Sequence, residues 1–171
     1  LWVWRELRAH GHQAAAAHWL AMLVDQTPAT SPDTSLAGRV REGDVQYAAR
    51  RWEGARRYYA AGLVQYPGNP MLLGRLGAVA GRLGDRAEAE RLDAALAAAS
   101  DPYLFGSQTY ARARITAALG DRAAAVEWLR AAWTQGRPLA YGSLDIEDVH
   151  SDPDFEALRD FSPFQALMQI D

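Results

Sequence analysis

The 171-residue chain has no cysteine and no lysine, so all 18 of its basic residues are arginine. Lacking cysteine, it has no disulfides, no thiolate metal ligands and no cysteine nucleophile, and the redox compartment stays open. Lacking lysine, it has no Schiff-base amine and no P-loop lysine. No apolar run reaches the ~18 residues of a membrane span. Even AAAAHWLAMLV carries His18 inside it. The start does not read as a signal peptide. A formal net charge of −3 gives no global pull towards nucleic acid or acidic membranes. No GxGxxG, Walker loop, GxSxG elbow or HExxH occurs.

What remains suits one domain or one block of repeats. About a fifth of the residues are alanine, which favours helix. The chain begins at Leu1 rather than methionine, so it is expected to be part of a longer protein. Leu1-Trp2-Val3-Trp4-Arg5 could follow an upstream membrane helix, but a core helix is the preferred reading.

Three groupings invite a chemical reading. His10-Gly11-His12 with Glu6 one turn earlier suggests part of a metal site. However, Gly11 occupies a turn position, which places the histidines on different helices, so no metal is expected. Asp145, Glu147, Asp148, Asp152, Asp154 and Glu156 cluster in the tail without EF-hand spacing. They read as helix-start charge plus a solvated loop. His150-Ser151-Asp152 holds the residue types of a triad, but adjacency in sequence is not triad geometry. A small hydrolase using this acidic tail is therefore disfavoured. No catalytic residue, cofactor or metal is assigned.

Residues 50–70, RRWEGARRYYAAGLVQYPGNP, mix four arginines with four aromatic rings. At about 100° per residue, Trp52, Ala55, Tyr59, Gly62, Leu63 and Tyr66 share a stripe, while the arginines share no face. A nucleic-acid surface needs clustered cations beside exposed rings, so a packed helix is favoured. Pro67-Gly68 stops that helix, and Asn69 caps the next with Pro70 in its first turn.

Self-similarity is the strongest signal. LGDRA occurs at residues 83–87 and 119–123, each time between two helical patterns. Glycine suits a left-handed helix end and aspartate the next N-cap, so the short turn makes an antiparallel pair. Outward from these turns, a small residue and the positions seven, five and seven further on give Gly77, Gly84, Ala89, Leu96, then Ala113, Gly120, Ala125, Ala132. Gly43, Arg50, Ala55 and Gly62, closed by Pro67, form another unit. Trp4, Gly11, Ala16 and Leu23, closed by Pro28, form the first and incomplete one. The turn positions 11, 50, 84 and 120 are offset by 39, 34 and 36 residues, the longest gap holding the loop TPATSPDTS.

These features resemble the tetratricopeptide repeat family over residues 1–138. Arg50 departs from the turn glycine, Pro102 and Pro138 close their units one residue late, and Trp4 fills a small position. Small residues such as Gly43, Ala55, Gly77 and Ala89 are expected to permit close helix approach. Trp52, Tyr59, Leu76, Leu83, Trp128 and Leu129 are expected to fill the space between, and Trp19 and Trp133 are also read as core. Residues 139–171 change character. Asp152-Pro153 and Ser162-Pro163 each read as N-cap and first turn, opening two short helices with Phe155, Leu158, Phe164, Leu167 and Met168. A solenoid needs such an end piece over its last apolar face. The DPDFEALRDFSPFQAL segment looks like the end of tetratricopeptide regions at the C-terminus of bacterial multidomain signalling and regulatory proteins.

The expectation is an all-α right-handed solenoid of four helical pairs with a two-helix C-terminal cap. Its implied role is protein–protein interaction. The alternative is an intramolecular regulatory or dimerisation module of a larger bacterial kinase, cyclase or transcriptional regulator. The resemblance implies a groove lined by the first helix of each pair: Trp2, Arg5 and Arg8; Arg41, Asp44 and Tyr47; Met71, Arg75 and Arg82; Tyr110 and Arg114. It lacks the asparagines and lysines with which some members clamp chaperone C-termini. An acidic or phosphorylated peptide is expected instead, self-association through the acidic tail of another copy included. Otherwise these arginines are solvated or paired with neighbouring carboxylates. The cytoplasm is the expected compartment, with a periplasmic or membrane-tethered location as the alternative.

Overall fold

The computed structural model describes residues 1–28, 33–98, 105–137, 149 and 152–169. Every regular element among them is a helix. None of these helices is long and apolar enough to cross a membrane. The closing prolines Pro102 and Pro138, and Asp145, Glu147, Asp148, His150 and Ser151, lie outside the described residues. The chain divides into two compact units, Leu1–Pro67 and Gly68–Asp171.

The first unit holds α1 (Trp2–Ala9), α2 (Gln13–Gln26), α3 (Leu36–Ala48) and α4 (Trp52–Gln65). Helix α1 pairs with α2 and α3 with α4, and α2 touches α3. Ser35 caps α3, its hydroxyl accepting from the Gly38 N–H at 3.1 Å. Ala55 and Tyr59 are fully buried, and a Cβ on Gly43 would run into the Tyr59 ring. Tyr59 is held in turn by donating to Asp44 at 2.6 Å. The α4 stripe differs from expectation at its edges: Tyr58 is buried, whereas Tyr66 is 36% exposed. Tyr58 donates to the Pro28 carbonyl, which turns its ring inward. Tyr66 sits just past the helix end, where its backbone no longer keeps the helical phase.

The second unit holds α5 (Pro70–Leu83), α6 (Arg86–Ala98), α7 (Ser107–Ala118), α8 (Arg122–Thr134), a 3-10 helix (Pro153–Leu158) and α9 (Ser162–Leu167). Asn69 caps α5 as expected, accepting from the Leu72 N–H at 3.1 Å with Pro70 in the first turn. Asp152 caps the 3-10 helix in the same way, from the Asp154 N–H at 2.9 Å. Ser162 does not cap α9; it is already helical, Phe161 holds the cap position, and no side chain bonds there. Helix α5 pairs with α6, α7 with α8, and α5 lies along α7. Residues 72–80 of α5 are all buried. The approach of α5 to α7 rests on Gly74 against Ala111, Gly77 against Ile115 and Gly81 against Ala118. Past α8, the 3-10 helix packs on α7 and α9 on α8. Phe155, Leu158, Phe164, Leu167 and Val149 thereby join Tyr110, Val126 and Leu129 in one apolar cluster. Trp128 and Trp133 are only partly buried at its margin.

The glycine contacts rank a set of substitutions. A methyl on Gly74 would lie 2.5 Å from the Ala111 Cβ and 3.0 Å from its Cα, and a backbone atom cannot step aside. On Gly77 it would lie 2.4 Å from the Ile115 Cδ1 and 2.7 Å from its Cγ1, on a β-branched side chain that is itself buried. Overpacking costs about 1–3 kcal/mol, against about 0.5–1 kcal/mol gained in helix propensity. Gly74→Ala and Gly77→Ala should therefore each destabilise by about 1–2 kcal/mol, and Gly81→Ala, with the Ala118 Cβ at 3.0 Å, by less, as urea unfolding can measure.

The turns repeat at the level of single hydrogen bonds. At Gly84 the N–H bonds to the Gly81 carbonyl, and that of Asp85 to the Ala80 carbonyl. Gly120 and Asp121 bond likewise to Ala117 and Thr116, and Gly11 and His12 to Arg8 and Leu7. Arg50 and Arg51 bond to Tyr47 and Gln46 in the same pattern. All four turn residues are left-handed, with φ of 81°, 88°, 78° and, for Arg50, 57°. Asp85 and Asp121 then cap α6 and α8, accepting from the Glu88 and Ala124 N–H groups at 3.2 and 3.0 Å. Arginine at position 50 thus changes the residue and keeps the turn. A side chain in this conformation costs about 1–2 kcal/mol, offset in part by the ~0.5–1 kcal/mol of extra entropy that glycine loses on folding. Counting the backbone alone, Arg50→Gly should raise stability by about 0.5–1 kcal/mol, seen as a higher urea midpoint at an unchanged m-value.

Candidate functional site

The positions expected to line a groove divide between the two units. In the first unit, Trp2 is 64% exposed and Arg5 is half-buried. The Arg8 guanidinium lies 4.9 Å from the centre of the buried Trp4 ring. Arg41 is exposed and pairs with Asp33 at 3.5 Å. Hydrogen bonds from Ser35, aided by Arg41, hold the Asp33 carboxyl below the usual carboxylate range. Asp44 receives the Tyr59 hydroxyl, and Tyr47 is buried edge-on to Trp52 with ring centres 4.9 Å apart. Arg50, Arg51, Arg56 and Arg57 are all exposed, and Arg56 pairs with Glu53 at 2.9 Å.

In the second unit, Met71 is exposed at the start of α5 and Arg75 is buried. Arg82, Tyr110 and Arg114 converge, and what they converge on is the chain's own acidic tail. Arg114 Nε donates to Asp154 Oδ2 at 2.5 Å, while its Nη2 lies 3.5 Å from both Asp152 oxygens. The Tyr110 hydroxyl donates to Asp152 Oδ2 at 2.8 Å. Arg82 Nη2 reaches the Asp154 backbone carbonyl at 3.4 Å and its carboxylate at 3.9 Å. Asp152 and Asp154 are 0% and 1% exposed, and Arg114 is 5% exposed, so these charges meet out of water. Buried carboxylates thus meet guanidinium groups, which is the pairing that buried charge demands.

Local structure explains the aim of each group. Helix α7 carries Tyr110 and Arg114 four residues apart, hence on one face. Asp152 caps the 3-10 helix, and that tight turn brings Asp154 beside it. One residue on, Phe155 enters the core edge-to-face against Tyr110, with ring centres 5.5 Å apart. Arg137 covers the Tyr110 ring from outside at 4.6 Å.

The solvated reading of the tail acids is thus corrected for Asp152 and Asp154, which are buried; Glu156 is exposed. Two further arginines escaped the sequence. Arg112 grips Asp93 of α6 through two bonds of 2.9 Å while lying 3.9 Å over the Trp128 ring of α8, so it ties three helices together. Arg122 pairs with Asp160 and stacks on Phe161, fastening α8 to the segment before α9. Histidines 10 and 12 flank the Gly11 turn, one ending α1 and one opening α2. His10 reaches Glu6 at 3.6 Å with both side chains largely exposed. Among the described residues no three metal-ligating side chains gather. Compared with protein-family models, curated proteins and solved structures, the chain matches none.

Proposed function

We propose that this chain is a helical-repeat binding module of the tetratricopeptide kind, whose first-helix arginines hold acidic segments of a protein partner. The observation that carries this reading is the docking of an Asp-x-Asp turn on Arg114, Tyr110 and Arg82. These side chains stand on α5 and α7, the first helices of their pairs, which is where the resemblance puts a groove. The equivalence of the four turns, and the glycine-mediated packing of α5 on α7, support repeat architecture independently of any ligand. Arginine suits such a ligand because its planar fork meets a carboxylate at two points and is more weakly hydrated than an ammonium.

The second reading, an intramolecular regulatory module, draws on the same contact, since the acidic turn belongs to the chain itself. A partner captured from lysate of the source organism separates the two. Under the first reading, Arg8→Glu with Arg41→Glu should weaken capture at least ~10-fold and leave helicity unchanged. Exposed ion pairs contribute only ~0.2–1 kcal/mol each, so affinity should be near micromolar and fall as salt rises. Capture that ignores both substitutions and salt would remove the first-unit arginines from the account.

A further inference from the structure

The acidic turn on α5 and α7 is made like a ligand. Its polar contacts come from two aspartates two residues apart, its apolar anchor is the next residue, Phe155, and a second anchor, Leu158, follows three residues later. All four lie on one short stretch of sequence, Asp152-Pro153-Asp154-Phe155 to Leu158. The receiving groups lie about 40 residues earlier or more, on α5 and α7. A continuous segment recognised by preformed helices is the arrangement by which repeat proteins bind peptides.

We infer that the segment around Asp152–Leu158 is a built-in competitor, and that the α5/α7 face accepts from a partner a peptide turn of the same chemistry, Asp-x-Asp-aromatic. This rests on the reading of the first-helix arginines as a ligand site and names what that site selects. Asp152 sets the turn by capping its own backbone while taking the Tyr110 hydroxyl. Asp154 supplies the charge for Arg114, and the aromatic ring must reach the edge of Tyr110. A phosphate in place of Asp154 would meet the same guanidinium, but it is larger than the fully enclosed carboxylate, so the site favours aspartate. Because the resident segment is tethered, it competes at an effective concentration of about a millimolar, and a partner sees the site only as the segment weakens.

The probe is a dye-labelled synthetic peptide with the sequence of residues 149–169, titrated by anisotropy into the full chain. Unaltered protein should bind it only near millimolar concentration. Asp154→Asn with Phe155→Ala weakens the chain's own segment without altering a receiving side chain and should tighten binding at least ~10-fold, by relief of self-competition. Adding Arg114→Met to that variant should abolish it. If the variant is partly unfolded alone, added peptide should raise its melting temperature in proportion to the logarithm of peptide concentration. Binding no tighter than that of the unaltered chain, with no rise in melting temperature, overturns the inference. A partner captured through Arg8 and Arg41 in that same case would leave the proposed function standing.

Discussion

Replacing Arg114 by methionine should lower the stability of the second unit by about 3–5 kcal/mol in urea unfolding, the usual cost of breaking a buried charge pair. The change removes a 2.5 Å charge-assisted bond and leaves Asp154 at 1% exposure. Asp152 keeps the Tyr110 hydroxyl and its own cap contact, so most of the loss should come through Asp154. Lysine at position 114 keeps the charge but cannot span two carboxylates, and should recover only part of it.

Phe155→Ala should cost a comparable amount, about 3–5 kcal/mol, by opening a cavity where the ring is now fully enclosed. Part of that, about 0.5–1.5 kcal/mol, is the edge-to-face contact with Tyr110. A contrast sits on α4: Val64 is 81% exposed, and Val64→Ala should shift stability by no more than about 0.5 kcal/mol. Both variants can be followed by urea unfolding. A small effect at Phe155 would mean that the segment contributes little to the core around α7 and α8.

Helix pairs and turns were legible because their signals are local: a left-handed glycine followed by a capping aspartate acts within four residues, as at Gly84 and Asp85. Even the exception at Arg50 fell where the repeat required a turn, and the backbone there does what glycine does elsewhere. Periodicity located the buried face of α4 but not its end, since phase has no meaning past the last helical residue, and Tyr66 lies there. The Ser162 cap missed by one residue for a similar reason, helix starts being set by a few competing bonds.

The fate of the acidic tail was not legible. Nothing near Asp152 and Asp154 shows that they are buried. Their partners are Arg114 and Tyr110, 38 to 42 residues away, and local pattern carries no information across that separation. One trace was present: an aspartate pair leading directly into phenylalanine and leucine is an odd composition for a solvated loop. Apolar neighbours of that size draw the adjoining carboxylates inward, and the arginines on α5 and α7 are what makes their burial tolerable.

That a first-helix arginine holds an acidic turn in a buried contact can be measured by a double-mutant cycle across Arg114 and Asp154. Arg114→Met, Asp154→Leu and the pair together would be compared with the unaltered chain by urea unfolding under one set of conditions. A coupling of about 2 kcal/mol or more is expected, with the pair more stable than Arg114→Met alone, because leucine removes the buried charge that Arg114 had offset. Additivity within about 0.5 kcal/mol would contradict it, since residues in buried contact cannot act independently.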